Sequence, residues 1–260
     1  MKPRNNFSKK PQKSFQKDKS KFDSKPQRSE KQSSHGMMPL GKFPNVFSER
    51  KGRFTNYFTK TEDGRSFFDE KIVKIDGQKY RNVNPERSKL FAGIASGISQ
   101  IGFKDDSVVL YLGASHGYTV SFLSDMIING QIYAMDFAPR VVRDLIFLCE
   151  AKTNIAPFMA DANQTAAYSE LLPASGVDVI FMDIAQKNQV EIFTKNCDAF
   201  LKSGGFGLLA LKSRSVDVTK KPKDIFKIVR SELEKKYVVV DYRELDPFEE
   251  DHALFVIKKK

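Results

Sequence analysis

The alternation of apolar and polar positions divides the chain into stretches of different period. Between residues 41 and 86 short extended runs, among them Arg53-Phe54-Thr55-Asn56-Tyr57-Phe58 and Lys71-Ile72-Val73-Lys74-Ile75, are broken at Asp63-Gly64 and Asp76-Gly77. Runs of this length between turn residues predict a small antiparallel β unit. Leu90, Ile94, Ile98 and Ile101 then recur at helical spacing, which predicts one helix carrying all four on its inner face. Beyond it strands are predicted at 107–113, 131–137, 154–159, 177–184, 205–212, 237–243 and 253–258, with helical periods between most of them. A helix over 188–202 turns Val190, Phe193, Cys197 and Phe200 inward and is expected to end at Gly204-Gly205; Pro222 is expected to start the next. Alternating strands and helices imply a mostly parallel sheet. Only the loop Asp246-Pro247-Phe248-Glu249-Glu250-Asp251 separates the last two strands, too short for a crossover helix, so they must pair antiparallel. The expected organisation is a tail over 1–40, a small β domain over 41–86, and an α/β, Rossmann-like domain over 87–260 with a seven-stranded, mostly parallel sheet.

The sharpest local signal is Val108-Val109-Leu110-Tyr111-Leu112-Gly113-Ala114-Ser115-His116-Gly117-Tyr118-Thr119, an apolar strand that ends in a glycine turn. Val120, Leu123 and Ile127 follow at helical spacing, so the turn, with Gly113, Ser115 and Gly117, sits at a helix N-terminus whose free N–H groups face any ligand held there. Twenty-three residues after Gly113, the run Gln131-Ile132-Tyr133-Ala134-Met135-Asp136 ends in a carboxylate suited to a ribose diol. Asp161-Ala162 follows the third strand. Three strand ends then face one crevice, the edge at which open α/β sheets bind nucleotide-like ligands, and together they outline an adenosine pocket.

Charge adds a second theme. The 260 residues carry a net charge of +11, and the first 36 hold 11 Lys or Arg against three Asp or Glu, an excess of +8. That segment, with Phe7, Phe15 and Phe22 among its lysines, has too little apolar content to fold and reads as a contact for RNA phosphates and bases. No apolar run reaches the length of a membrane span and no signal core follows the N-terminus, so a soluble intracellular protein without a membrane partner is expected. Cys149 and Cys197 lie on apolar helix faces, as buried thiols do, and with three histidines and no cysteine cluster no metal site is expected.

Four polar residues share the predicted carboxyl edge: Lys89 at the start of the first helix, Asp183 ending the fourth strand, Lys212 ending the fifth, and His252 just before the seventh. Such a set suits transfer of a methyl group from a sulfonium to a weakly acidic hydroxyl. One lysine, Lys212, depressed by a neighbouring ammonium, would accept the proton while Asp183 fixes orientation, and Lys89 and His252 would orient the hydroxyl and stabilise oxygen charge. A rival reading takes Gly113-Ala114-Ser115-His116-Gly117 as the nucleophile elbow of an α/β-hydrolase esterase with Ser115, Asp183 and His252 as its triad. Against it, the elbow would follow the first sheet strand, and no His-Gly-Gly oxyanion loop lies upstream.

At Asn84-Pro85-Glu86-Arg87-Ser88-Lys89-Leu90, Tyr111-Leu112-Gly113-Ala114-Ser115, Asp183-Ile184-Ala185-Gln186, Lys212-Ser213-Arg214-Ser215-Val216-Asp217 and Pro247-Phe248-Glu249-Glu250-Asp251-His252 the chain resembles the fibrillarin family, especially its archaeal form, from about Phe43 to the C-terminus. The resemblance implies a class I S-adenosylmethionine-dependent methyltransferase that modifies ribose 2′ hydroxyls of ribosomal and transfer RNA, directed by box C/D guide RNA within a ribonucleoprotein. It further implies a Nop-family scaffold and a kink-turn-binding protein as partners, and a cytoplasmic site in an archaeon or a nucleolar one in a eukaryote. On the same resemblance Tyr118, Thr119, Asp136, Phe137, Asp161, Ala162, Asp183, Ile184, Ala185 and Gln186 fall on cofactor-binding positions, and Lys89, Asp183, Lys212 and His252 on the catalytic tetrad. The chain departs from the family in the bulkier His116 and Tyr118 of the glycine turn and in Asp136, where glutamate is usual.

Overall fold

Residues 36–260 are described by the structure, a computed structural model. The basic segment read as an RNA contact lies outside them as far as residue 35. Met38–Pro39 (β1) already pairs with Val46–Lys51 (β2), so the small sheet begins a little before residue 41. Phe54–Thr61 (β3), Ile72–Ile75 (β4) and Gln78–Val83 (β5) complete five antiparallel strands in the order β1-β2-β3-β5-β4. Asp76 and Gly77 close the β4–β5 hairpin at φ 49° and 78°, and such left-handed pairs match the twist of a two-residue turn.

A short 3-10 turn at Pro85–Arg87 leads into α1 (Lys89–Ala95), whose first turn is capped by the Ser88 hydroxyl accepting from the Phe91 N–H. The helix is shorter than its apolar spacing predicts. Gly97, at φ 82°, turns the chain away after Ala95, and Ile98 and Ile101 reach the core from the following loop. The helical period persists there because buried positions recur, not because the backbone stays helical.

Seven strands then form the main sheet: β6 (Val108–Leu112), β7 (Gln131–Asp136), β8 (Ile155–Met159), β9 (Val177–Met182), β10 (Leu201–Lys212), β11 (Val238–Glu244) and β12 (His252–Lys258). Their order is β11-β12-β10-β9-β6-β7-β8, and β12 runs antiparallel to both of its neighbours, β11 and β10, as the short β11–β12 loop requires. Between them lie α2 (Tyr118–Met126), α3 (Pro139–Cys149), α4 (Gln189–Phe200), a single turn α5 (Ser213–Val216) and α6 (Pro222–Glu234). Alternate strand residues feed two apolar layers, with Val109, Tyr111 and Phe181 on one face and Leu110, Ile180 and Leu209 on the other.

Gly204-Gly205 does not cap α4. The helix stops at Phe200 and β10 begins at Leu201; the glycines sit where its register with β9 shifts. A side chain on Gly205 would come within 2.9 Å of the Asp178 carbonyl, so this glycine is needed for close approach. Cys197 is buried and Cys149 half-buried; burial pushes the Cys149 thiol up to about 11 and the Cys197 thiol higher still. No helix among the described residues is long and apolar enough to cross a membrane.

Candidate active site

The chain reverses winding direction between β6 and β9, and the crevice outside their carboxyl ends is where such a sheet binds ligands. Gly113 makes the crevice possible. At φ 83° it bends the strand end so tightly that a Cβ would lie 2.5 Å from the Asp183 carbonyl oxygen. The ends of β6 and β9 therefore touch, with the Asp183 N–H donating to the Leu112 carbonyl at 2.9 Å. Beside them opens a cleft of about 230 Å³.

Of the residues expected to bind a cofactor, Gly113, Ser115, Asp136, Phe137, Asp161, Ala162, Asp183, Ile184, Ala185 and Gln186 line this cleft, together with Met135 and Ala160, which sequence reasoning missed. Asp136 is held rigidly: one carboxylate oxygen accepts the Ser115 N–H at 3.0 Å and the other the Ala138 N–H at 3.1 Å. Hydrogen bonds from Asn163, first its backbone N–H, hold the Asp161 carboxyl below its usual range. Phe137, 69% exposed, presents its ring at the mouth. An acid at each side and apolar walls between them are the chemistry a nucleoside needs.

Gly117, Tyr118 and Thr119 do not line the cleft. Gly117 caps α2 at φ 90°, where a Cβ would strike Leu148 at 2.6 Å. The Tyr118 hydroxyl accepts the Asn84 N–H at 3.1 Å, and its ring lies under the Arg87 guanidinium and edge-on to Phe68 and Phe122. The Thr119 hydroxyl donates to the Ser88 hydroxyl at 3.1 Å. Both side chains thus bind the start of α2 to the start of α1, and so position Lys89.

Lys89 Nζ donates to Asp183 Oδ2 at 3.1 Å, both side chains being 21% exposed. Burial works against the Lys89 charge, but the Asp183 and Glu249 carboxylates outweigh it and raise the group above its ordinary range. Tyr111 lies buried beneath; burial, then the Asp183 charge, push its phenol far up, so it remains neutral. On the adjoining strands Lys212 and His252 are register partners across β10 and β12.

Hydrogen bonds from several neighbours fix that pair. Gln189, fully buried at the start of α4, donates to the Lys212 carbonyl at 3.0 Å and accepts the Lys212 N–H at 3.1 Å. The Ser213 N–H and hydroxyl both donate to the Asp251 carbonyl, and Arg214 Nε donates to the Asp251 carboxylate at 2.9 Å. His252 Nδ1 lies 2.7 Å from the Glu250 carbonyl, an acceptor only, so Nδ1 carries a proton. Among the described residues no carboxylate lies within 4.0 Å of the Lys212 ammonium, unlike that of Lys89.

No hydrolase triad forms. Asp183 is engaged by Lys89, the His252 nitrogen that an acid would orient faces a carbonyl, and the Ser115 N–H is tied to Asp136. Glu249 and Gln189 were missed by sequence reasoning. Glu249 stands three residues before His252 in a run already singled out, whereas nothing local marks Gln189.

Residues 37–260 match the family model described as Fibrillarin. The fibrillarin-like rRNA/tRNA 2′-O-methyltransferase of Thermococcus onnurineus is 42% identical over 221 residues, 84% of this chain and 97% of the relative. The crystal structure of Aeropyrum pernix fibrillarin with natively bound S-adenosyl-L-methionine is similar with a TM-score of 0.77 at 34% identity, covering 86% of this chain and 98% of that one. A fibrillarin/Nop5p complex contains a chain similar with a TM-score of 0.72 at 36% identity, covering 79% of this chain and 94% of its own.

Proposed function

The chain belongs to the fibrillarin family, and from that premise we propose that it methylates ribose 2′ hydroxyls of ribosomal and transfer RNA with S-adenosylmethionine as donor. The observations that support this reading are the Lys89–Asp183 ion pair, whose Asp183 lines the cleft, and the Lys212–His252 strand pair, tied to Lys89 through Glu249, which lies 3.9 Å from both Lys89 and His252. The cofactor's sulfonium supplies an electrophilic methyl group. Asp136 would hold the ribose diol of the cofactor, and Asp161, Ala162, Phe137 and Ile184 would surround its base; the rigid Asp136 and the apolar walls of the cleft fit that group.

Lys89, kept charged by its carboxylates, orients and stabilises the developing oxyanion. Lys212, without an acidic partner within 4.0 Å among the described residues, accepts the hydroxyl proton as its neutral amine, and His252, held at Nδ1 by the Glu250 carbonyl, orients the hydroxyl. Asp183 holds Lys89 in place. A Nop-family scaffold is the protein partner. Box C/D guide RNA selects the nucleotide, a kink-turn-binding protein completes the particle, and it works where ribosomal RNA matures, in archaeal cytoplasm or eukaryotic nucleolus.

Labelled S-adenosylmethionine, scaffold, guide and target RNA test the assignment. Lys212→Ala is expected to lower turnover by at least ~10²-fold while cofactor affinity, measured by calorimetry, stays unchanged. Undiminished transfer by that variant would remove Lys212 as the base.

A further inference from the structure

We infer that Glu249 is a positioning residue of the reacting cluster, its carboxylate set between the Lys89 ammonium and the His252 imidazole. The inference rests on the methyl-transfer reading above and deepens it. Glu249 Oε1 lies 3.9 Å from Lys89 Nζ, and Oε2 lies 3.9 Å from His252 Nδ1. One carboxylate therefore faces two members of the cluster, one oxygen to each. Its side chain is only 21% exposed, which keeps screening by water low.

The backbone leaves Glu249 little freedom. Its N–H donates to the Leu245 carbonyl at 3.1 Å, and its own carbonyl accepts the His252 N–H at 3.4 Å. Leu245 in turn donates to the His252 carbonyl at 3.0 Å. Asp251, at φ 60°, bends the loop back so that its carbonyl meets Ser213. The loop that carries Glu249 is thus anchored at both ends, to β12 and to the turn after Lys212.

Charge supplies the reason for a carboxylate at this point. Without it, among the described residues the Lys89 ammonium would have Asp183 as its one carboxylate within 4.0 Å and the His252 ring would have none. The other groups around them are the neutral Tyr111 phenol under Asp183, the Glu250 carbonyl at His252, and the Arg214–Asp251 pair, which is internally neutral. When the ribose hydroxyl gives up its proton to Lys212, that proton adds positive charge to the cluster. Glu249 offsets it and holds Lys89 and His252 in the geometry that meets the oxygen. It touches no reacting atom, so it acts through its neighbours.

The test compares Glu249→Gln, which keeps shape and removes charge, with Glu249→Asp, which keeps charge. In the assembled particle Glu249→Gln is expected to lower kcat by about tenfold or more, equivalent to about 1.4 kcal/mol of barrier, with the KM for target RNA and the cofactor Kd within about twofold of wild type. Removing a nearby negative charge favours proton loss from the cluster, so the rising limb of the kcat against pH profile moves to lower pH in Glu249→Gln and returns in Glu249→Asp. Wild-type kcat and pH profile in Glu249→Gln, alongside an inactive Lys212→Ala, overturn the role of Glu249 and leave the methyl-transfer reading standing. Full activity in Lys212→Ala counts against the proton-transfer scheme itself. A loss of kcat in Glu249→Gln with an unmoved pH profile and no rescue by Glu249→Asp makes the residue structural and also overturns the proposal.

Discussion

At the scale of single residues, Asp136 carries the clearest consequence. Each of its carboxylate oxygens already accepts one backbone N–H, which fixes the group and leaves the remaining lone pairs for the cleft it lines. Hydrogen bonds to a charged group contribute about 1.5–3 kcal/mol. Asp136→Ala is therefore expected to weaken cofactor binding by roughly 10- to 100-fold in a calorimetric titration, with much less effect on turnover at saturating cofactor; unchanged affinity would refute the diol contact. Asp136 and Asp183 were legible because a carboxylate that follows an unbroken apolar run must stand at a strand end. The side chains of Tyr118 and Thr119 lie outside the cleft for a physical reason. Hydropathy locates the turn but not the side to which each side chain points, and here Arg87 and Ser88, some thirty residues upstream, draw both away from the cleft.

At the scale of elements, the site depends on how strands end. The last residue of β10 has left the ladder with β9, whose register partner to β10 stops at Leu209, and the Gln189 side chain supplies both hydrogen bonds that a neighbouring strand would have given. Truncating it leaves a buried N–H and carbonyl at Lys212 without partners, at about 1–3 kcal/mol. Gln189→Ala is expected to lower Tm by a few degrees and to depress kcat while cofactor affinity holds, because Asp136 and the cleft belong to other strands. Equal kcat in variant and wild type would mean that β12 and the Asp251 clamp suffice to place Lys212. The seven strands of the main sheet and its antiparallel finish were readable from periodicity, most plainly the central ones, since strands buried on both faces are near-continuous apolar runs. The end of α1 and the setting of Gly204-Gly205 were not. Both turn on local φ values and on neighbours distant in sequence, and a pattern of apolar positions records burial without recording the backbone that achieves it.

At the scale of the whole molecule, the small sheet and the main sheet meet through a buried charge cluster that no local pattern announces, because its members come from four separate stretches. Arg81 on β5 is wholly buried and pairs with Glu70 at 2.7 Å and Asp125 of α2 at 2.9 Å, while its guanidinium lies between the rings of Phe67 and Phe122. Lys152 reaches the other Asp125 oxygen at 2.6 Å. Since α2 begins at the cofactor turn, this cluster holds the helix on which the turn is built. Removing one partner strands buried charge, so Arg81→Met is expected to cost about 3–5 kcal/mol in urea unfolding at pH 7. Burial opposes the Glu70 charge, but Arg81 and the N–H groups of Phe67 and Phe68 outweigh it and hold the carboxyl below its ordinary 4.5. The folded chain thus keeps Glu70 ionised to lower pH than the unfolded chain does. The resulting stability is fully present above about 4.5 and is lost as the pH falls through the lowered folded value. The deficit of Arg81→Met should accordingly be largest near neutrality and shrink toward pH 3, where a protonated Glu70 needs no cation. A deficit that stays constant over that range would assign the stabilisation to the guanidinium packed between two phenyl rings, and not to the ion pair.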